Sequence, residues 1–442
     1  MSTSSRPEDS EGADARCAPP SKAYRHYALA LLTLIYMLNC IDRQIMAVVT
    51  EPIKHDLGMS DSLLGLVNGI GFAATFALVG IPLARLADRR ARKPIIAAAL
   101  AIFSCFTALC GLVTSVGQLA LVRLGVAVGE AGSNPQSHSI IADLYPAPIR
   151  PMAMAVYGTG ANIGLILAFS IGGLVTTLFG WRMAFLAPGL FGLLICALFL
   201  TTMREPFREP LGKGGPGSLS LLGGAALLIR NRALLHLTIG LTLATLSAYA
   251  GILWLPAFFM RTYGLTAAEA GALLAVIVGG GGLFGTLSGG ALSTWLGRFD
   301  VRWSLWVVAA GLIIAAPLVA LAYGVHDLHL ALILIAGPAL ANTFCMGPSL
   351  AHIQGLAPIR LRATASALIS LTTVLVGAGI GPTLIGAASD FFSRAGFQNG
   401  LGVALSASAV IWVWAGLHFF AAGALLTSDS QAGEPTPDGH VE

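Results

Sequence analysis

The sequence predicts an all-α integral membrane protein with twelve transmembrane helices in two six-helix halves. Three observations carry that expectation. Of the 442 residues, 56% are hydrophobic and 10% charged, with a mean hydropathy of +0.79; a soluble globular domain carries about 25% charged residues. Twelve apolar runs approach the roughly 20 residues that a helix needs to cross the hydrocarbon core. A polar stretch rich in Gly and Pro divides the runs six and six, and a short repeat recurs at the same place in each half.

Taken in order, the chain opens with 27 polar residues of mixed charge. They lack the apolar core of a signal peptide and are expected to form a disordered tail. Apolar runs follow near residues 28–49, 62–84, 95–115, 118–140, 152–178 and 183–203, so the first bundle is expected over 28–203. Residues 204–232 contain REPFREPLGKGGPGS and IRNR and read as a linker. Runs near 233–258, 268–293, 303–323, 329–352, 363–388 and 400–426 give a second bundle over 233–426, followed by a polar tail over 427–442. Ala147–Arg150 read APIR, and Ala357–Arg360, 210 residues later, read APIR again. Each copy lies between the fourth and fifth helices of its half, which points to duplication.

Positive charges orient the helices. With both tails inside, 19 of the 25 Lys and Arg fall in inner segments, and only Lys54, Arg182, Arg261 and Arg394 fall in outer loops. Both termini are therefore expected in the cytoplasm, with the chain in the plasma (inner) membrane. The net charge of +4 is small and dispersed, which argues against nucleic acid. Five of the six cysteines lie in apolar runs, and none has metal-ligand spacing. With no nucleophile–base set either, no catalytic residue, metal or cofactor is expected.

The fourth run carries the polar signal. Arg123–His138 read RLGVAVGEAGSNPQSH. At helical spacing Arg123, Ala127, Glu130, Asn134 and Ser137/His138 fall on one stripe. Ionised groups facing lipid are costly, so this stripe is expected to face protein or water. The first run adds Asp42 and Arg43, whose side chains leave a helix about 100° apart. Both can border a cavity, but they cannot both face one neighbour squarely. With Arg123 and Glu130 they make two acids and two bases. One reading is a permanent ion-pair network that staples the first helix to the fourth. The functional reading gives proton coupling to Asp42 and Glu130, and substrate binding to Arg43, Arg123, Asn134 and His138. A carboxylate balanced between burial, which favours its neutral form, and a nearby arginine, which favours its charge, can bind and release a proton. Asn134 and Pro135 have a simpler reading as a helix bend, and His138 as a hydrogen-bonded residue near a helix end.

The fifth run contains Gly158, Gly160, Gly164, Gly172 and Gly173, and the eighth Gly281, Gly285 and Gly289. GTGANIG lacks the strand–turn–helix setting of a dinucleotide loop, so close helix packing is preferred. The second half has few ionisable groups: His352, Asp390 and His418 are the candidates, mostly near helix ends. Its seventh helix carries Tyr249, Trp254, Phe258 and Phe259, which read first as packing. Asn342 and Ser349 are the polar exceptions on the tenth. A charged first half facing an apolar second half suits an amphipathic solute. Its head would lie near Arg43, Arg123 and Glu130, and its tail against the second bundle.

The loop after the second helix reads ARLADRRARKP from Ala84 to Pro94, with Asp88 among five basic residues. It serves as a positive-inside anchor on the bland reading. On the sharper one it is a conformational latch of Asp88, Arg89, Arg92 and Lys93. The stretch resembles the cytoplasmic signature of the major facilitator superfamily, with Ala84 and Ala91 in place of two glycines. GALSTWLGR at Gly290–Arg298 follows the same pattern, with Thr294 in place of its acid. The resemblance spans about residues 28–426. It implies the major facilitator fold, two pseudo-symmetric six-helix bundles around a central cavity, and transport by alternating access. A narrower resemblance is to spinster-type lipid transporters, through LNCIDRQ at Leu38–Gln44, RLGVAVGEA at Arg123–Ala131 and IADLYP at Ile140–Pro146. Cys40 replaces the family tyrosine. It implies an amphipathic substrate such as a lysophospholipid or a sphingosine-phosphate-like molecule. Protons and membrane lipids are the other expected partners, and the chain is expected to be a monomer. Transport of a small organic anion, and a receptor built on a transporter scaffold, are the alternatives.

Overall fold

The computed structural model describes residues 21–89, 91–146, 148–205, 230–357 and 362–426. Most of both tails, linker residues 206–229 and parts of both APIR copies lie outside the described residues. So do the side chains of Asp88 and Arg89.

Twelve helical segments follow one another in the expected order among the described residues. The first runs from Lys22 to Leu57 and is longer at both ends than its apolar run. Ser21 caps its start, its hydroxyl accepting from the Tyr24 N–H at 3.2 Å, and Gly58 ends it in the left-handed region at φ 64°. The seventh, Arg232–Tyr263, is framed in the same way by Asn231 and by Gly264 at φ 66°. Lys54, Arg182 and Arg261, expected in outer loops, instead stand on the last or first turns of the first, sixth and seventh helices, and Arg394 on the last turn of the eleventh. The polar end of a long helix continues past its apolar stretch, because backbone hydrogen bonds do not stop where hydropathy does.

Among the described residues, eleven segments are long and apolar enough to cross a membrane. The fourth does not meet that test because it is broken, into Val116–Glu130 and Asn134–Leu144. A proline lacks the N–H and its ring clashes with the carbonyl four residues back, so Pro135 ends the regular ladder at Ala131. The tenth breaks likewise, into Leu328–Phe344 and Met346–Leu356, with Pro348 four residues past Phe344. Three stretches widen into π-helix, at Val67–Gly71, Ala275–Gly280 and Thr373–Ile380. Such bulges recur at functional sites, and all three contribute residues that border cavities or contact the other half.

Within the first half the first helix packs on the fifth, and the third on the fourth and sixth; in the second, the twelfth packs on the seventh and ninth. The halves meet where the second helix touches the eleventh and the fifth touches the eighth. Close approach depends on glycine there. A Cβ on Gly173 would lie 2.5 Å from the Ala267 carbonyl, and one on Gly386 would lie 2.3 Å from the Asp61 carbonyl. Gly160, Gly164, Gly172 and Gly173 of the fifth helix are thus a packing surface, as their setting suggested, whereas a Cβ on Gly158 would meet no atom within 4 Å.

All described hydrogen bonds between the halves lie toward one end, where short loops join helices one to two, seven to eight and eleven to twelve. Arg261 donates to Glu51 at 2.7 Å and to both oxygens of Asp61 at 2.7 and 2.8 Å. Ser389 donates to Asp61 at 2.6 Å. The Asp390 carboxylate accepts from the Ser62 N–H at 2.8 Å and so caps the start of the second helix from the opposite half. Within the second half, Trp254, fully buried, donates to the Pro382 carbonyl at 2.9 Å and ties the seventh helix to the eleventh. The loop end is closed by this cluster.

Candidate functional site

Two ion pairs join the first helix to the fourth near the middle of the first half. Asp42, 1% exposed, accepts from Arg123 Nη1 at 2.8 Å and from Thr107 Oγ1 at 2.7 Å. Arg43, one residue on, turns the other way. It donates through Nε (3.2 Å) and Nη2 to Oε2 of Glu130, and its side chain keeps 34% of its surface exposed. The 100° step between neighbours on a helix thus sends the acid into the bundle and the base to the cavity. Arg123 and Glu130 are each 2% exposed.

The pairs are surrounded by rings. The Arg123 guanidinium lies 5.0 Å from the Phe72 centroid, and that of Arg43 lies 5.6 and 5.5 Å from Phe72 and Phe76. A cation over a ring face in a desolvated place is stabilised by about 2 kcal/mol. Arg123 Nε and Glu130 Oε1 are buried without a hydrogen-bond partner among the described residues. One donor and one acceptor of the cluster are therefore unspent.

Three cavities adjoin the cluster. One, with about 680 Å³ of empty space, is lined by Tyr36, Asn39, Arg43, Glu130, Asn134 and Tyr249 among others. The next, about 640 Å³, shares Arg43, Phe76 and Tyr249 with it and adds Phe72, Arg123 and Ile252. The third, about 700 Å³, shares Ile252 and continues between Val278, Tyr323, Ile335 and Trp412 of the second half. Polarity falls along this series, from an ion pair at one end to aliphatic and aromatic side chains at the other.

The structure brings together Asp42, Arg43, Arg123, Glu130 and Asn134. Asn134 accepts from the Tyr157 hydroxyl, and Tyr157 stacks on Tyr36 at 4.8 Å. His138 stands apart. It is exposed, meets Tyr157 edge-on at 5.1 Å, and lines none of the three cavities. The single stripe expected from Arg123 to His138 is interrupted, because the turn at Ala131–Ser133 resets the helical phase. Of the latch residues, Arg92 is 2% exposed. It donates to Asp143 at 2.5 Å, to Ser139 at 2.8 Å and to Glu205 at 3.2 Å. Glu205 also accepts from the Lys93 N–H at 2.6 Å. These bonds tie the third helix to the fourth and to the start of the linker.

Sequence reasoning missed Thr107, Tyr36 and Tyr157 as neighbours of the cluster. A lone threonine or tyrosine in an apolar run carries no signal of its own. It also missed the Arg261–Asp61–Glu51 cluster. Its signal was present, as opposite charges flanking consecutive loops, but nothing in the order of residues pairs helix one with helix seven.

The model of the Major Facilitator Superfamily matches residues 32–382 of the chain. An MFS-type efflux pump of Mycolicibacterium smegmatis is 34% identical over 363 residues, which cover 82% of this chain and 84% of the relative. Protein spinster homolog 1 of Xenopus tropicalis is 28% identical over 93% of this chain and 83% of its own length. Among solved structures, a bacterial homolog to the human lysosomal transporter spinster, in an inward-facing and unoccupied conformation, superposes with a TM-score of 0.82. It is 30% identical and covers 92% of this chain and 98% of that one.

Proposed function

We propose, from the premise that the chain belongs to the Major Facilitator Superfamily and is a multi-pass membrane transporter, that its solute is amphipathic and lipid-like and is coupled to protons. The observation that carries this reading is the continuous fall in polarity from Arg43 through Tyr249 and Ile252 into the second half. A headgroup bearing phosphate or carboxylate meets Arg43 and the unspent Arg123 Nε. The apolar cavity beyond Ile252 takes an acyl or sphingoid chain, each buried methylene contributing about 0.8 kcal/mol. A small organic anion would use the first part of this path and leave the second empty.

Protons enter through the same cluster. A carboxylate that alternates between a wet, arginine-balanced cavity and a desolvated one alternately releases and takes up a proton. Asp42 and Glu130 each hold an arginine of the other helix, so the two acids lie in one cluster. With both termini taken as cytoplasmic, the closed loop end faces outward. Asp88, Arg89, Arg92 and Lys93 then serve the opposite closure.

The test is a thermal-stability binding series on the purified protein. It compares lysophospholipids of increasing chain length with a short dicarboxylate. Affinity is expected to rise about fourfold per methylene until the cavity is full, and Arg43→Ala and Arg123→Ala should each weaken binding. Binding of the dicarboxylate with none of the lysolipid would overturn the lipid reading and leave the organic-anion one.

A further inference from the structure

We propose that the second half carries a separate binding site for the phosphate headgroup of an anionic phospholipid, between its eighth, ninth and tenth helices at the linker end. A cavity with about 980 Å³ of empty space opens there. Ser293 and Thr294 line it from the eighth helix, Ser304 from the ninth and His352 from the tenth, with Gly290 and Gly347 between them. A Cβ built on Gly290 or on Gly347 meets no atom within 4 Å. The protein therefore leaves this space open where a side chain could stand.

The matching space in the first half is filled. The signature in the loop after the second helix of each half sets Arg298 opposite Arg92, and the offset between the two APIR copies sets Ser349 opposite Ser139 and Ile353 opposite Asp143. In the first half the Arg92 guanidinium is buried between Asp143 and Ser139. In the second the acid is replaced by an isoleucine, and Arg298 makes no ion pair among the described residues, while Arg302 donates to the Leu426 carbonyl at 3.4 Å. The three-helix framework has been kept without the ion pair that fills its counterpart.

The surroundings of the cavity select its occupant. Trp295, Phe299 and Trp303 are 54%, 73% and 44% exposed, and they flank the lining residues Thr294 and Val301 along the chain. Exposed aromatics beside a helix end mark the boundary between hydrocarbon and water. Arg298 follows the lining residue Gly297, is exposed, and makes no ion pair among the described residues. The acid of that turn, Asp300, is already used, accepting from the Arg302 N–H at 2.9 Å. His352 is held through Nε2 by the Ser304 hydroxyl at 2.6 Å. An unpaired arginine and a positioned imidazole suit phosphate oxygens, and the aromatic rim suits the glycerol and acyl region of a lipid. The Ser293, Thr294 and Ser304 hydroxyls donate to the Ser304, Gly290 and Val301 carbonyls at 2.9, 2.8 and 2.5 Å and can turn from them to an anion. Basic pockets between transmembrane helices bind lipid headgroups in this way. Dissolved phosphate would use the same donors without the rim.

The site is tested on the full chain in phosphatidylcholine nanodiscs, by following thermal unfolding while phosphatidylglycerol, further phosphatidylcholine or inorganic phosphate is added. Phosphatidylglycerol is expected to raise the transition saturably, and the other two to leave it in place. Gly290→Leu fills the cavity and should abolish the shift. Arg298→Ala should weaken it about fivefold, the attraction of one arginine for an anionic lipid. Arg43→Ala, in the central cavity, should retain it. Equal shifts from phosphatidylcholine or inorganic phosphate, an undiminished shift in Arg298→Ala, or its loss in Arg43→Ala would each overturn the proposal. If Gly290→Leu fails to fold, Gly347→Leu fills the same space from the tenth helix.

Discussion

Asp42 and Glu130 differ in what surrounds them, and that difference sets what each substitution should do. Asp42 spends its oxygens on Arg123 and Thr107, both inside the bundle. Glu130 spends one oxygen on Arg43 and leaves the other without a partner among the described residues. Amide replacements imitate the protonated acids at constant volume. Asp42→Asn with Glu130→Gln is expected to abolish solute accumulation driven by an imposed pH gradient in liposomes while leaving some binding or exchange. Full pH-driven accumulation in the double variant would show that the acids only staple the helices. The four charges were legible in the sequence, because charge inside an apolar run has few harmless explanations. Their pairing was not. Asp42 and Arg43 are adjacent, and only the packed rotation of the first helix decides which of them meets Arg123 and which meets the cavity.

At the scale of elements, apolar length made the helices legible and proline made the breaks legible. The bend expected at Asn134–Pro135 falls at Ala131–Ser133, within a turn of its cause. Cross-half contacts were not legible, because helix ends look alike in sequence whichever partner they meet. Arg261 is the clearest case: counted as a loop charge, it is the donor that binds helix seven to Glu51 and Asp61 of the first half. Asp61 is 2% exposed, so removing its partner leaves a buried carboxylate short of two hydrogen bonds. That loss costs on the order of 2 kcal/mol, about thirtyfold in the ratio of closed to open at this end. Arg261→Ala is therefore expected to lengthen distances between spin labels placed on the loops after helices one and seven. An unchanged distance distribution would mean that glycine-mediated packing alone, as at Gly386 and Asp61, holds the end shut.

On the alternating-access reading the molecule exchanges one closed end for another, and among the described residues ion pairs join the halves only at the loop end. The loop end is held by Arg261, Asp61, Glu51 and Asp390, contributed by both halves. At the linker end the described ion pairs, Arg92 with Asp143 and Glu205, join the first half to itself and to the start of the linker, not to the second half. Any charge that joins the halves at the linker end would have to come from elsewhere, and Asp88 among its five basic neighbours is the candidate that the sequence offers. A ligand or a mutation moves a two-state equilibrium only through a difference in how it interacts with each state. Asp88 should therefore matter little to the loop-closed state and much to the other. Asp88→Asn is expected to shift the population further toward loop-closed molecules, opposite in sign to Arg261→Ala. Both shifts can be read from the same pairs of spin labels across the two ends, and the double variant should fall between the single ones. If Asp88→Asn leaves both distance distributions as in the wild type, the basic loop is an orienting anchor and the second closure rests on apolar packing.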